Sequence, residues 1–247
     1  MVLDFHNQFI FQHIFKTAGT TVARILTKLY KNESDVLCNG HDASTNSLQI
    51  NLGSHYTLKE FTKLFPRLDL SKFFIFSFVR NPWDRAVSMY KHHQQEDYFC
   101  TYPKEERAEK ARRFTFDRFL KTEWVHMPSQ WEMITIDDLI AVKFIGRMEN
   151  FKADLKSVFT ALNINLNDSD LDVKIHESKN HKFARPEMNE RIWWHYSWWY
   201  KNSQVTFVAV RANKEIEYFG YVFDDKRAEM PAEIKEPYDR ENIDFNG

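Results

Sequence analysis

The 247-residue chain carries 34 basic and 35 acidic residues, a formal net charge of −1, so no global charge draws it to nucleic acid or an anionic membrane. Hydrophobic residues make up 43% and aromatics 16%, with 22 Phe and 7 Trp but only 6 Gly and 7 Pro, which excludes extended disorder and suits one large domain, 1–247. Two cysteines, Cys38 and Cys100, do not make a disulfide framework and are expected as free thiols in a reducing compartment.

The opening "MVLDFHNQFIFQHIF" has no basic flank before an apolar run, so it does not read as a signal peptide, and no apolar stretch approaches the ~20 residues of a spanning helix. The expectation is a cytoplasmic chain with no membrane span. Residues 8–15, rich in Phe and Ile, predict a strand, and Val22, Ile25, Leu26 and Leu29 predict a helix over Thr20–Tyr30. A polar stretch, 31–54, reads as a long surface loop. Leu58, Phe61, Leu64 and Phe65 give helical spacing within 56–65, and "KFFIFSFV" (72–79) reads as a buried strand followed by a helix with Asn81 as cap and Pro82 in its first turn. Charged, amphipathic residues 104–124 predict one or two helices, 141–147 a third strand, and Phe151, Leu155, Val158, Phe159 and Leu162 the inward face of the helix after it. Residues 163–190 read as loop, "RIWWHYSWWY" as a helix, and Gln204–Phe219 as a closing helix capped by Asn202 or Ser203, with Val205, Val208, Ala209, Ala212, Ile216 and Phe219 on one face. The acidic residues 225–247 read as a peripheral tail. This rhythm predicts an α/β fold with a mostly parallel sheet flanked by helices.

Two strand-to-helix junctions carry the chemistry. In "HIFKTAGTT", Lys16 precedes a turn whose backbone N–H groups (Thr17, Ala18, Gly19, Thr20, Thr21) and hydroxyls sit at a positive helix end, an anion-binding arrangement. A Walker-type loop has its lysine after the last glycine, so this is not an ordinary ATP or GTP site. In "FVRNPWDRAVSMY", Arg80 ends a strand and Ser88 lies two turns into the next helix, both able to face one anion. The bland alternatives are a solvated turn lysine for Lys16 and an ion pair with Asp84 or Glu149 for Arg80. Trp83 reads equally as core or as a partner for an aromatic ligand, "WWHYSWW" as core rather than a sugar platform, and His92 and His93 as surface residues without metal-ligand spacing. Two anion sites on neighbouring strand ends suit a nucleotide with phosphates at two positions.

In this order, with a strand before each, the pair resembles the 5′-phosphosulfate loop and 3′-phosphate motif of sulfotransferases that use 3′-phosphoadenosine 5′-phosphosulfate (PAPS), in the carbohydrate-type, family-2 branch. "FIGRMENFKADL" and "HYSWWYKNSQV" are similar to later blocks of that family, and Phe15 departs from it where Pro is usual before the lysine. The resemblance implies a P-loop NTPase/kinase-like fold and a PAPS donor with adenosine 3′,5′-bisphosphate as product, without a required metal. It also implies Lys16 at the bridging oxygen, Thr17, Ala18, Gly19, Thr20 and Thr21 on the 5′-phosphate, Arg80 and Ser88 on the 3′-phosphate, and Ser178, Lys179 and Lys182 in a loop closing on the cofactor. A histidine base near neutral pH would activate a small-molecule or glycan hydroxyl. His55, in "LGSHYTLKEF", is favoured over His41 for that role. A small-molecule kinase using ATP and an inactive nucleotide-binding module of the same fold are the alternatives.

Overall fold

The computed structural model describes residues 1–29, 36–38, 56–164, 182–185, 188–191 and 193–232. Its strands are β1 (Val2–Asp4), β2 (Phe9–Gln12), β3 (Val36–Cys38), β4 (Phe74–Val79), β5 (Thr135–Ile136), β6 (Leu139–Ile140) and β7 (Phe144–Arg147). Its helices are α1 (Gly19–Leu29), α2 (Leu58–Leu64), α3 (Pro82–His93), α4 (Lys104–Arg113), α5 (Phe116–Thr122), α6 (Gln130–Ile134), α7 (Phe151–Ala161), α8 (Met188–Arg191), α9 (Asn202–Arg211) and α10 (Asn213–Phe219).

Five strands form a sheet in the order β3-β1-β2-β4-β7, in which β2 pairs parallel with β4 and β4 with β7, while β1 runs antiparallel to both its neighbours. The reversed strand arises because β1 and β2 form a hairpin, whose turn is held by the buried Asp4 carboxylate accepting from the backbone and side-chain N–H groups of Asn7 at 2.8 and 2.9 Å. That hairpin is absent from the sequence reading, which placed one strand over 8–15; the strand ends at Gln12 because the chain turns into the Lys16 loop.

Alternation along β2 and β4 separates two apolar layers. Phe9, Phe11, Phe76 and Phe78 pack against Val22, Ile25 and Leu26 of α1 and Phe151, Leu155, Val158 and Phe159 of α7. Ile10, Ile75 and Val79 pack on the other face with α2, α3 and the later helices. Both faces are covered, which is why these strands read as near-continuous apolar runs. Asn81 caps α3, its Oδ1 accepting from the Trp83 N–H at 3.1 Å, with Pro82 at the first helical position. The result is that β2 and β4, adjacent and parallel, both deliver the chain to a helix at the same edge of the sheet.

Three segments differ from expectation. "RIWWHYSWWY" does not form the one helix expected: Arg191 ends α8, His195 is extended (φ −56°, ψ 139°), its ring accepts from the Ser197 N–H, and a single 3₁₀ turn follows over Tyr196–Trp199. The closing helix is two, α9 and α10, broken at Ala212 (φ −106°, ψ 23°), and the cap is Lys201, whose N–H donates to Gln204 Oε1 at 2.8 Å. In 125–140, which the sequence reading left unassigned, Ser129 and Glu132 form a capping box for α6, and Asp137 and Asp138, both with positive φ, turn the β5–β6 hairpin. Leu64, expected inward, is exposed, whereas Leu58 and Phe61 are buried. Among the described residues no helix is long and apolar enough to cross a membrane.

Gly146 of β7 lies against Phe78, and a Cβ there would stand 2.4 Å from that ring, which is itself wedged against Phe151 at 5.2 Å. Gly146→Ala is therefore expected to lower stability by about 1–3 kcal/mol through overpacking. In chemical denaturation Phe78→Leu should recover part of that loss in the double variant.

Candidate anion-binding active site

Between β2 and α1 the chain makes a turn in which Lys16 (φ 62°) and Ala18 (φ 61°) are both left-handed. Each such non-glycine residue costs about 1–2 kcal/mol, so the turn persists only where other contacts hold it. The buried Thr17 hydroxyl donates to the Ile14 carbonyl at 3.0 Å, and the Ala18 carbonyl accepts from the Thr21 and Val22 N–H groups to start α1. The N–H groups at the start of the helix precede its hydrogen-bond ladder, and its first turn holds no acidic residue. This is a helix end open to an anion. Gly19 is required by a contact across the turn: a Cβ there would fall 1.7 Å from the His13 ring, which stacks on Phe11. The space that glycine leaves is taken by an imidazole.

The second junction holds the first. Arg80 Nη1 donates to the Lys16 carbonyl at 3.2 Å, and Arg85 Nε donates to the Phe15 carbonyl at 3.0 Å. Arg80 Nε also donates to Asp84 at 2.7 Å, so the ion pair considered for it is present beside the loop contact. Arg85 is buried, lies over Trp124 at 5.0 Å and donates to the Pro128 carbonyl; burial pulls its pKa down to about 10. Ser88 is half-buried two turns along α3.

The charges at this edge are poorly solvated. Burial, then the Arg80 charge, lowers the Lys16 pKa to about 8. Burial likewise lowers Lys91, one turn beyond Ser88, to about 8, with Asp84 opposing and Arg80 reinforcing. His93 is not a surface residue: it packs against Tyr98 and Phe119, and burial, His92 and Lys16 take its pKa to about 4. Cations held near one another with little water form a potential that a multivalent anion relieves.

The structure thus gathers Lys16, Thr17, Ala18, Gly19, Thr20 and Thr21 beside Arg80, with Ser88 on the adjoining helix. His55, His41, Ser178 and Lys179 lie outside the described residues. Lys182 is exposed, and its carbonyl accepts from the Glu96 N–H just beyond α3. Trp83 is core: its ring is buried edge-on to Phe223, and its Nε1 donates to the Val205 carbonyl at 3.0 Å, so it offers no face to a ligand. Of the aromatic cluster, Trp199 is buried and Trp193 exposed. Arg85, Lys91 and Gln130, which hydrogen-bonds the Arg80 backbone, were missed by sequence reasoning; Arg85 and Lys91 stand inside the quoted motif and its immediate extension, whereas nothing local marks Gln130. Among the described residues, no group of three or more His, Cys, Asp or Glu side chains is placed to hold a metal ion.

A family model described as "Sulfotransferase family" matches residues 1–191. An uncharacterized protein of Archaeoglobus fulgidus is 26% identical over 117 residues, covering 46% of this chain and 84% of its own length. No solved structure matches.

The lowered lysine pKa values set a pH dependence. Lys16 and Lys91 are charged below about pH 8 and lose that charge above it, before free lysine does. Affinity for adenosine 3′,5′-bisphosphate, followed by calorimetry from pH 6.5 to 9.5, is expected to be flat on the acid side. Above pH 8 it should fall, approaching about tenfold per pH unit for each lysine that must regain its proton. Lys16→Met should flatten that fall.

Proposed function

Because the chain belongs to the sulfotransferase family, in its family-2 branch, we propose that it moves the sulfuryl group of PAPS to a hydroxyl of a carbohydrate acceptor, as a single domain of P-loop-kinase-like type. One observation carries the nucleotide assignment: two anion-binding junctions stand at the carboxyl ends of adjacent parallel strands and are joined by the Arg80 to Lys16 carbonyl bond, a spacing suited to one nucleotide with phosphates at two positions.

In this reading Thr17, Ala18, Gly19, Thr20 and Thr21 hold the 5′-phosphate, the Thr21 N–H staying on the Ala18 carbonyl, and Arg80 and Ser88 hold the 3′-phosphate. The acceptor oxygen forms its bond to sulfur as the bond from sulfur to the bridging oxygen breaks, and charge grows on the departing bisphosphate. Lys16 meets that charge. Its pKa of about 8 leaves it protonated at neutral pH yet weakly solvated, which strengthens its pull on a developing anion. His55 takes the acceptor proton, with His41 the other choice, and Ser178, Lys179 and Lys182 close over the donor. In-line positioning and charge stabilisation supply most of what such a transfer needs, as in phosphoryl transfer.

In thermal-shift measurements adenosine 3′,5′-bisphosphate should raise the melting temperature more than AMP or ATP with Mg²⁺, and stabilisation by ATP above the bisphosphate would contradict the reading. With labelled PAPS and a panel of sugar acceptors read by mass spectrometry, Lys16→Ala should lower kcat by about 10²–10³-fold, the cost of removing one transition-state charge partner. Wild-type turnover in both Lys16→Ala and His55→Ala would exclude the proposed chemistry.

A further inference from the structure

We propose that Gln130 is a positioning residue: held by the buried Glu215 carboxylate, its side chain clamps both backbone polar groups of Arg80 and so aims the Arg80 guanidinium. The inference rests on the reading of Arg80 as the partner of the second phosphate.

Pairing of β4 with β7 ends at Val79 opposite Arg147, so the peptide groups of Arg80 leave the sheet just where the side chain must be fixed. The Gln130 amide takes over there. The Arg80 N–H donates to Gln130 Oε1, and Gln130 Nε2 donates to the Arg80 carbonyl, both at 2.8 Å. A side-chain amide has the donor and acceptor of a peptide group and thus extends the ladder by one residue.

The amide is itself held. Its second Nε2 hydrogen goes to Glu215 Oε2 and its backbone N–H to Glu215 Oε1, each at 2.6 Å. Gln130 and Glu215 are both fully buried, so these are short charge-assisted bonds away from water. With the backbone fixed on one side, the guanidinium is fixed on the other by Asp84 and the Lys16 carbonyl. A carboxylate at 130 accepts from the Arg80 N–H but has nothing to give its carbonyl, and it faces Glu215 with like charge. Glu215 lies in α10, beyond the residues the family model matches, so the brace ties the last helix to the anion site.

The test compares Gln130→Glu, the charge-swapped pair Gln130→Glu with Glu215→Gln, and Arg80→Ala. Affinities for adenosine 3′,5′-bisphosphate and AMP are measured by calorimetry, alongside melting temperature. Gln130→Glu is expected to weaken the bisphosphate about tenfold, the scale of one charge-assisted bond, and AMP less than about twofold. The swapped pair restores the 130–215 donor and acceptor match and should recover melting temperature, yet it still lacks the donor to the Arg80 carbonyl and should keep the selective loss. If the Gln130 variants keep the wild-type preference for the bisphosphate while Arg80→Ala loses it, or if both ligands weaken in parallel with melting temperature, the brace is refuted. If Arg80→Ala itself keeps the preference, the phosphate assignment of Arg80 fails, and the brace with it.

Discussion

Two arginines of one strand-to-helix junction, Arg80 just after β4 and Arg85 in α3, grip two consecutive carbonyls of a loop, and the rest of the site follows from that grip. The Phe15–Ala18 turn contains two left-handed non-glycine residues, together unfavourable by about 2–4 kcal/mol. Arg85 on the Phe15 carbonyl and Arg80 on the Lys16 carbonyl are hydrogen bonds to charged donors, about 1.5–3 kcal/mol each, enough to offset the strain. The sheet makes this possible: β2 and β4 are parallel neighbours, so the loop after one and the helix after the other meet at one edge. A helix that begins with Asn81 and Pro82 immediately after the strand puts residues 80 and 85 within reach of the loop.

The same arrangement explains the electrostatics. Arginine is suited to the grip because it stays charged when buried and offers donors in a plane, and Arg85 does so without a direct carboxylate partner among the described residues, resting on Trp124 with Glu215 acting from farther off. The cost is that Lys16 and Lys91, whose pKa values burial already lowers, are lowered further by the Arg80 charge. For a protein whose proposed substrate brings negative phosphates, that cost becomes binding energy when the ligand enters. Asp84 moderates the field while orienting Arg80.

Much of this was legible in the sequence because it depends on local pattern. The Phe-rich runs marked β2 and β4, Asn81 and Pro82 marked the start of α3, and Lys16 with Arg80 and Ser88 marked the two junctions. Much of what was missed depends on contacts that only the folded chain makes. The need for Gly19 comes from His13 across the turn, not from the helix itself, and Gln130 matters through Arg80, 50 residues away, and Glu215, 85 residues away. Trp83, with one apolar face and one N–H, suited a ligand or the core equally until Phe223 and the Val205 carbonyl were seen to occupy it. The "RIWWHYSWWY" stretch has helical spacing of aromatics, but His195 turns its own ring onto the following backbone and stops a helix there.

The most direct measurement is a crystal structure of the full chain with adenosine 3′,5′-bisphosphate. The 5′-phosphate is predicted on the Thr17–Thr21 loop with the Lys16 ammonium beside it, and the 3′-phosphate on Arg80 and Ser88. A nucleotide bound elsewhere, or one whose 3′-phosphate points to solvent while Arg80 keeps only Asp84 and the Lys16 carbonyl, would contradict it.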